Sequence, residues 1–291
     1  TAANTFSVEL ITNAVGCVSH RSIIQVGEDI FFASNDGDYS LGDVVNYAAT
    51  EPRTTNKSGK IQEIFKNMTP AQKKLLLGAY HDFKYHLFYT ETGTTNDTCL
   101  VYDVRYGGWL KWTNIAANDA QVYTKSSGTS DGEMTLYFIE PTTGEVNEMY
   151  NGTTDDGAAI ATFWYSKSFD EGMPDVIKKY SKTTFVFDSI SGSVTVKVIF
   201  DDQEIAVTES ISQARPDGGF GYQALGVGGF GSTGAVTSVT TVAGNPLRMK
   251  AKGRKFAIQY YISSSGKWSL TAITQIFKIL PRKFPSQNKL N

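Results

Sequence analysis

A short sequence pattern typical of strand, polar turn and strand occurs three times in the first half of the sequence. It covers residues 22–41, 85–102 and 134–149, and in each copy apolar residues flank a turn that contains Asp or Gly. Val, Ile, Phe and Tyr favour strands, whereas Gly and Asp favour tight turns. Three units of roughly 35–45 residues each are typical of β-propeller blades. Because a closed propeller needs at least about four blades, the sequence predicts an incomplete propeller.

Length and charge indicate two domains. The chain has 291 residues, of which 12% are aromatic and 27 are glycines, so we expect a mostly β protein. A polar stretch at 151–157 marks the predicted boundary between domains 1–150 and 151–291. The first domain holds 11 Lys and Arg against 18 Asp and Glu, and the second holds 16 against 11, giving net charges of −7 and +5. Such opposition suits contact between copies, but chance variation explains it equally well.

One helical insertion is predicted between the blades, over residues 59–77. Apolar residues recur at helical spacing from Ile61 to Met68. Thr69 then stands as an N-cap, with Pro70 at the first helical position and Gln72 three residues after the cap. Farther on, Trp109 and Trp112 offer large surfaces where one blade meets the next.

The second domain is predicted to be a small antiparallel β-sandwich. Residues 193–200 alternate strictly between Val and polar residues, and further strands are expected at 159–166, 183–187, 254–262 and 268–278. A long glycine-rich loop is expected at 211–247, and a basic, proline-broken tail follows residue 278.

Four residues of these segments are candidates for a subunit interface. Phe220 and Phe230 lie in glycine repeats ten residues apart, and Arg282 and Lys283 lie in the basic tail. The repeats suit an arm that anchors on a neighbouring subunit, or else a plain surface loop. The tail suits contact with nucleic acid or an acidic surface, or else a solvated end.

Motifs for catalysis, cofactors or metals are not found in the sequence. His81 and His86 are close enough to face one another on a hairpin, but no third ligand accompanies them. The acidic pairs Asp155-Asp156 and Asp201-Asp202 have the composition of turns. We therefore expect no enzyme, no cofactor and no metal. Two free, buried cysteines and no membrane span are also expected.

Several segments together resemble tail nozzle or tail-hub proteins of short-tailed bacteriophages. They are residues 16–24, residues 26–32 with Asp36-Gly37, residues 100–109, and residues 151–160 with Tyr165-Ser-Lys167. The resemblance implies a β-propeller followed by a β-sandwich. It also implies a virion protein of the tail, in a homo-oligomeric ring that is commonly six-fold and forms part of the DNA-ejection channel. Adaptor or fibre proteins would be its neighbours, with passing contact to genomic DNA.

Other functions remain open at this point. Carbohydrate-binding modules and glycan-degrading propellers also use β scaffolds, because a fold does not fix a function. A bacterial adhesin would require secretion, for which the sequence carries no signal.

Overall fold

A computed structural model describes residues 15–42, 57–125, 132–189, 193–201, 203–212, 242–243, 247–264 and 268–280. The chain divides into two compact units, Thr1–Asn151 and Gly152–Asn291. The fold is all-β, with several small antiparallel sheets and few helices, as predicted.

The described residues of the first unit form three antiparallel sheets. Their order is β1-β2-β3, β4-β5-β6-β7 and β8-β9-β10, named here the first, second and third sheets. The strands are β1 Ile24–Val26, β2 Asp29–Ala33, β3 Asp38–Ser40, β4 Leu77–His81, β5 Lys84–Tyr89, β6 Thr98–Asp103, β7 Gly108–Thr113, β8 Asp119–Thr124, β9 Met134–Ile139 and β10 Val146–Glu148. All three repeats of the sequence pattern are therefore strands and turns of these sheets.

A two-residue turn joins β4 to β5. Asp82 and Phe83 have φ values of 46° and 57°. Positive φ at both central residues matches the twist of the flanking strands. His81 and Lys84 are therefore paired at the base of a tight hairpin turn.

Two short helices stand where the helical insertion was predicted. They are α1, Gln62–Asn67, and α2, Pro70–Lys73. Thr69 and Gln72 cap α2 reciprocally, each side chain accepting from the backbone N–H of the other residue. The predicted end at residue 77 was wrong, because Leu77 already belongs to β4 and is buried between sheets.

The second sheet is packed on both faces. Residues of β5 alternate, so that Tyr85, Leu87 and Tyr89 enter a core shared with the first sheet, whereas Phe88 enters a core shared with the third. Trp109 packs against the former core and Trp112 against the latter, which confirms that these tryptophans lie where sheets meet. The sheets thus stack face to face like blades, but within the described residues they do not close a ring.

Close approach of β4 to the first sheet requires a glycine. A Cβ atom at Gly78 would lie 2.8 Å from the carbonyl oxygen of Ser22 and 3.0 Å from Cγ1 of Ile24. We expect Gly78→Ala to lower the free energy of unfolding by about 1–3 kcal/mol, because the two sheets must separate to admit the methyl group.

Urea denaturation measures this loss, with Gly108→Ala as the matched control. A Cβ at Gly108 has no neighbour within 4 Å, so we expect a change within about 0.5 kcal/mol. Equal stability of both variants would contradict the tight stacking of β4 on the first sheet.

In the second unit, the described strands form two sheets. One has the order β11-β12-β18-β14-β15, and in the other β13 lies between β17 and β19 and also pairs with β16. The strands are β11 Thr154–Asp155, β12 Ala158–Tyr165, β13 Lys178–Ser189, β14 Ser193–Phe200, β15 Gln203–Ser212, β16 Val242–Ala243, β17 Leu247–Gly253, β18 Phe256–Ser264 and β19 Ser269–Ile279.

Aromatic side chains hold these two sheets together. Tyr180 of β13 packs on Phe200 of β14 and on Phe256 of β18, with ring centroids 5.1 and 5.2 Å apart. Phe277 of β19 joins the same core. Because the core draws on both sheets, the unit is a sandwich, as predicted.

The ends of the predicted glycine-rich loop are strands. β15 extends through Ser212, β16 occupies Val242–Ala243 and β17 begins at Leu247, so the boundaries 211 and 247 were wrong. Strand β15 pairs with β14 in one sheet, and β17 pairs with β13 in the other. Residues 213–241 lie outside the described ranges.

Candidate interaction surfaces

The four residues predicted for a subunit interface are Phe220, Phe230, Arg282 and Lys283. All four lie outside the described residues, so their role stays a prediction. The described ranges instead offer two exposed sheet faces that sequence reasoning missed.

One of these is the outer face of the third sheet. Its inner face packs against the second sheet through Ala120, Val122, Leu136 and Phe138. The opposite face, called the open face here, carries Tyr123, Tyr137, Ile139 and Val146. Tyr123 is 62% exposed and Val146 is 64% exposed. Asp119, Gln121 and Glu148 share the open face with these four apolar side chains, and within the described part of the first unit only the inner face packs against another sheet.

Aromatic residues also line the outer face of the five-stranded sheet. Phe163 of β12 stands opposite Tyr261 of β18, and Tyr165 follows two residues along β12. Phe163 is 58% exposed, and both tyrosines are 47% exposed. Residues directly opposite in a sheet share a face, so these three rings form one aromatic strip.

A smaller cluster occupies the turns of the second sheet. The guanidinium of Arg105 lies 5.3 Å from the ring centroid of Phe83 and 5.6 Å from that of Tyr106. Asp103 fixes Arg105 through an ion pair of 3.1 Å. The cation is therefore engaged within its own sheet, where it stiffens the β6–β7 turn.

A buried carboxyl lies between the first two sheets. The hydroxyl of Tyr85 donates to Oδ1 of Asp38 at 3.1 Å, and the backbone N–H of Asp38 donates to Ser58. Burial raises the pKa of Asp38, while Tyr85 and the charge of Lys57 act in the opposite direction. Burial likewise raises the pKa of Tyr85. The hydrogen bond between Tyr85 and Asp38 links β5 to β3, two strands that are distant in sequence, so the pair has a structural role.

His86 is buried in an aromatic cluster. Its Nε2 lies 2.5 Å from the hydroxyl of Tyr150, and the ring of Trp112 contacts both residues. Burial lowers the pKa of His86 to about 4. His81 lies against Tyr150 as well, with ring centroids 5.9 Å apart, so both histidines meet this tyrosine. In the described ranges, no three His, Cys, Asp or Glu side chains lie close enough to hold a metal ion.

Asp156 and Asp201 are turn residues, as predicted, whereas Asp155 belongs to strand β11 and Asp202 lies outside the described residues. Asp156 and Asp201 have φ values of 45° and 48°. Oδ1 of Asp201 accepts from the backbone N–H groups of Arg254 and Lys255, which ties the β14–β15 turn to the start of β18. Of the two free cysteines, Cys99 is buried as expected, whereas Cys17 is exposed because it precedes the first sheet.

Comparison with known proteins gives no family. No family model matches the sequence, and no curated protein matches it either. The described part of the chain contains no helix with the length and hydropathy needed to cross a bilayer.

Proposed function

We propose that this chain is a structural protein of a short-tailed phage tail, a nozzle or hub subunit without catalytic activity. In this proposal several copies form a ring, with six-fold symmetry as the first expectation, around the channel through which DNA leaves the virion. Adaptor and fibre proteins are its neighbours in the tail. The class of protein is supported by the resemblance of residues 16–24, 26–32 with 36–37, 100–109, and 151–160 with 165–167.

The observation that supports the proposed ring is the open face of the third sheet. Monomeric proteins rarely expose contiguous apolar patches larger than about a few hundred Å², and such patches mark interaction sites. The stack of sheets in one copy ends at this face. A neighbouring copy can continue the stack through the outer face of its first sheet, where Ile30 and Phe32 are half-buried. Such a head-to-tail contact generates a closed ring when its rotation closes.

Native mass spectrometry and sedimentation test this assembly. The wild-type chain should form one defined oligomer, and the double variant Tyr123→Glu/Val146→Glu should shift to lower mass at an unchanged melting temperature. Tyr106→Glu is the matched control, because Tyr106 is 83% exposed but lies on a turn of the second sheet. A wild-type monomer at tens of micromolar, or an undiminished oligomer of the double variant, would contradict the proposal.

The aromatic strip favours a second candidate, a carbohydrate-binding module. Exposed rings on a flat sheet suit stacking against sugar rings, and Phe163, Tyr165 and Tyr261 provide three of them. Titration calorimetry with soluble oligosaccharides tests this alternative. Binding that disappears in Phe163→Ala/Tyr261→Ala would favour it, whereas absence of binding to wild type excludes it for the sugars used.

A further inference from the structure

Three lysines stand side by side on the sheet that contains β13. Lys179 of β13 is paired with Lys252 of β17 on one side and with Lys278 of β19 on the other. All three residues are exposed. Directly opposite residues share a face, and strands lie about 4.8 Å apart, so the row spans about 10 Å. We call Lys179, Lys252 and Lys278 the lysine row.

Like charges directly opposite one another destabilise a sheet, so we expect the lysine row to serve a purpose other than stabilising the fold. Among the described residues, no carboxylate forms an ion pair with any of its three members. The preceding residue provides a contrast, because Lys178 is buried and its Nζ donates to the carbonyl oxygens of Met173 and Arg254 at 2.7 Å. Lys178 has a structural role, whereas the lysine row directs its charge to solvent.

The surrounding strands reinforce this charge. Apart from the row and the buried Lys178, strands β13, β17 and β19 contain three more basic residues, Lys182, Arg248 and Lys250, and one acidic residue, Asp188. The backbone register places Lys182 opposite Arg248, beyond the row. These three strands therefore carry a clear excess of basic over acidic residues.

We infer that the lysine row binds the phosphate backbone of nucleic acid without reading its sequence. Duplex DNA carries one negative charge per about 1.7 Å of its axis, a density that a compact row of lysines can match. The exposed residues that share a face with Lys278 on β19 are Ala272, Thr274 and Ile276, none of which can stack on a base. The naming of DNA as the ligand rests on the proposed function, in which DNA passes through the ring.

Fluorescence anisotropy with a labelled duplex of about 30 base pairs tests this inference across 50–200 mM KCl. Each phosphate contact contributes about 0.9 to the slope of log affinity against log salt. We expect Lys179→Gln/Lys252→Gln/Lys278→Gln to reduce the slope by about 2.7. Over this fourfold change in salt, wild-type affinity should then fall about 40-fold more than that of the variant.

Two further triple variants serve as controls. Lys60→Gln/Lys66→Gln/Lys74→Gln removes the same charge from exposed residues of the first unit and should leave the slope unchanged. Lys→Arg at the three row positions keeps the charge and should retain binding within a few-fold. Circular dichroism melting confirms that each variant is folded.

Several outcomes overturn the inference. They are a wild-type chain that does not bind duplex DNA, equal slopes for the row and control variants, and loss of oligomer mass in the row variant at unchanged DNA affinity. The last would assign the row to contact with another copy. If the chain assembles into a ring but does not bind DNA, this inference is wrong and the proposed ring is not affected. If the chain is a monomer that binds DNA through the lysine row, the proposed ring is wrong and this inference stands.

Discussion

Phe88→Ala should lower the free energy of unfolding of the first unit by about 3–5 kcal/mol. Phe88 belongs to β5, an interior strand of the second sheet, and is fully buried between the second and third sheets, where Leu77 and Cys99 stand opposite it. Removing the ring leaves a cavity that regular strands on both sides cannot close. Its neighbour Leu87 enters the other core, so Leu87→Ala should cost about 2–5 kcal/mol by the same mechanism. Urea denaturation followed by tryptophan fluorescence measures both losses.

Tyr123→Ala is the control for these variants. Tyr123 is 62% exposed on the open face, so its truncation in the isolated chain should cost less than about 1 kcal/mol. A large loss for Phe88→Ala with a negligible one for Leu87→Ala would show that only one face of the second sheet is packed. That result would contradict the face-to-face stack.

Acid should destabilise the first unit by about 3 kcal/mol through His86 alone. Burial lowers the pKa of this histidine to about 4, whereas an unfolded chain has a value near 6.5. Between these two pH values the unfolded state binds a proton on His86 and the folded state does not. The stability present above pH about 6.5 is therefore lost as pH falls to about 4. A difference of about 2.5 pKa units corresponds to about 3 kcal/mol.

The measurement is the unfolding free energy of wild type and His86→Gln at several pH values between 4 and 7.5. Subtracting the two profiles cancels groups common to both, including Asp38, whose raised pKa favours folding at low pH. The difference should grow in favour of His86→Gln as pH falls. His81→Gln serves as the control, since His81 is only partly buried. Parallel profiles for wild type and His86→Gln would mean that His86 is not desolvated.

Local features were predictable because neighbouring residues determine them. The capping box of Thr69 and Gln72 and the strand at residues 193–200 are both present where the sequence predicted them, and the turn at Asp82 and Phe83 is equally local. Each depends on turn or cap chemistry, or on a period of two, within a few residues.

The surfaces were not predictable because they depend on distant pairings. The lysine row joins residues 179, 252 and 278, which come together only through the register of three strands. Gly78 is required because the backbone at Ser22 lies against it. The open face is apparent only once the third sheet is seen to pack on one side. A signal for the lysine row was nevertheless present in the alternating basic residues Arg248, Lys250 and Lys252.

An electron cryomicroscopy reconstruction of the assembled chain tests the central claim most directly. The claim is that copies associate by continuing the stack of sheets. It predicts a β-sheet of a neighbouring copy over Tyr123 and Val146, at the spacing of about 10 Å that separates packed sheets. A defined ring in which this face remains exposed to solvent, or particles that contain a single copy, would contradict it.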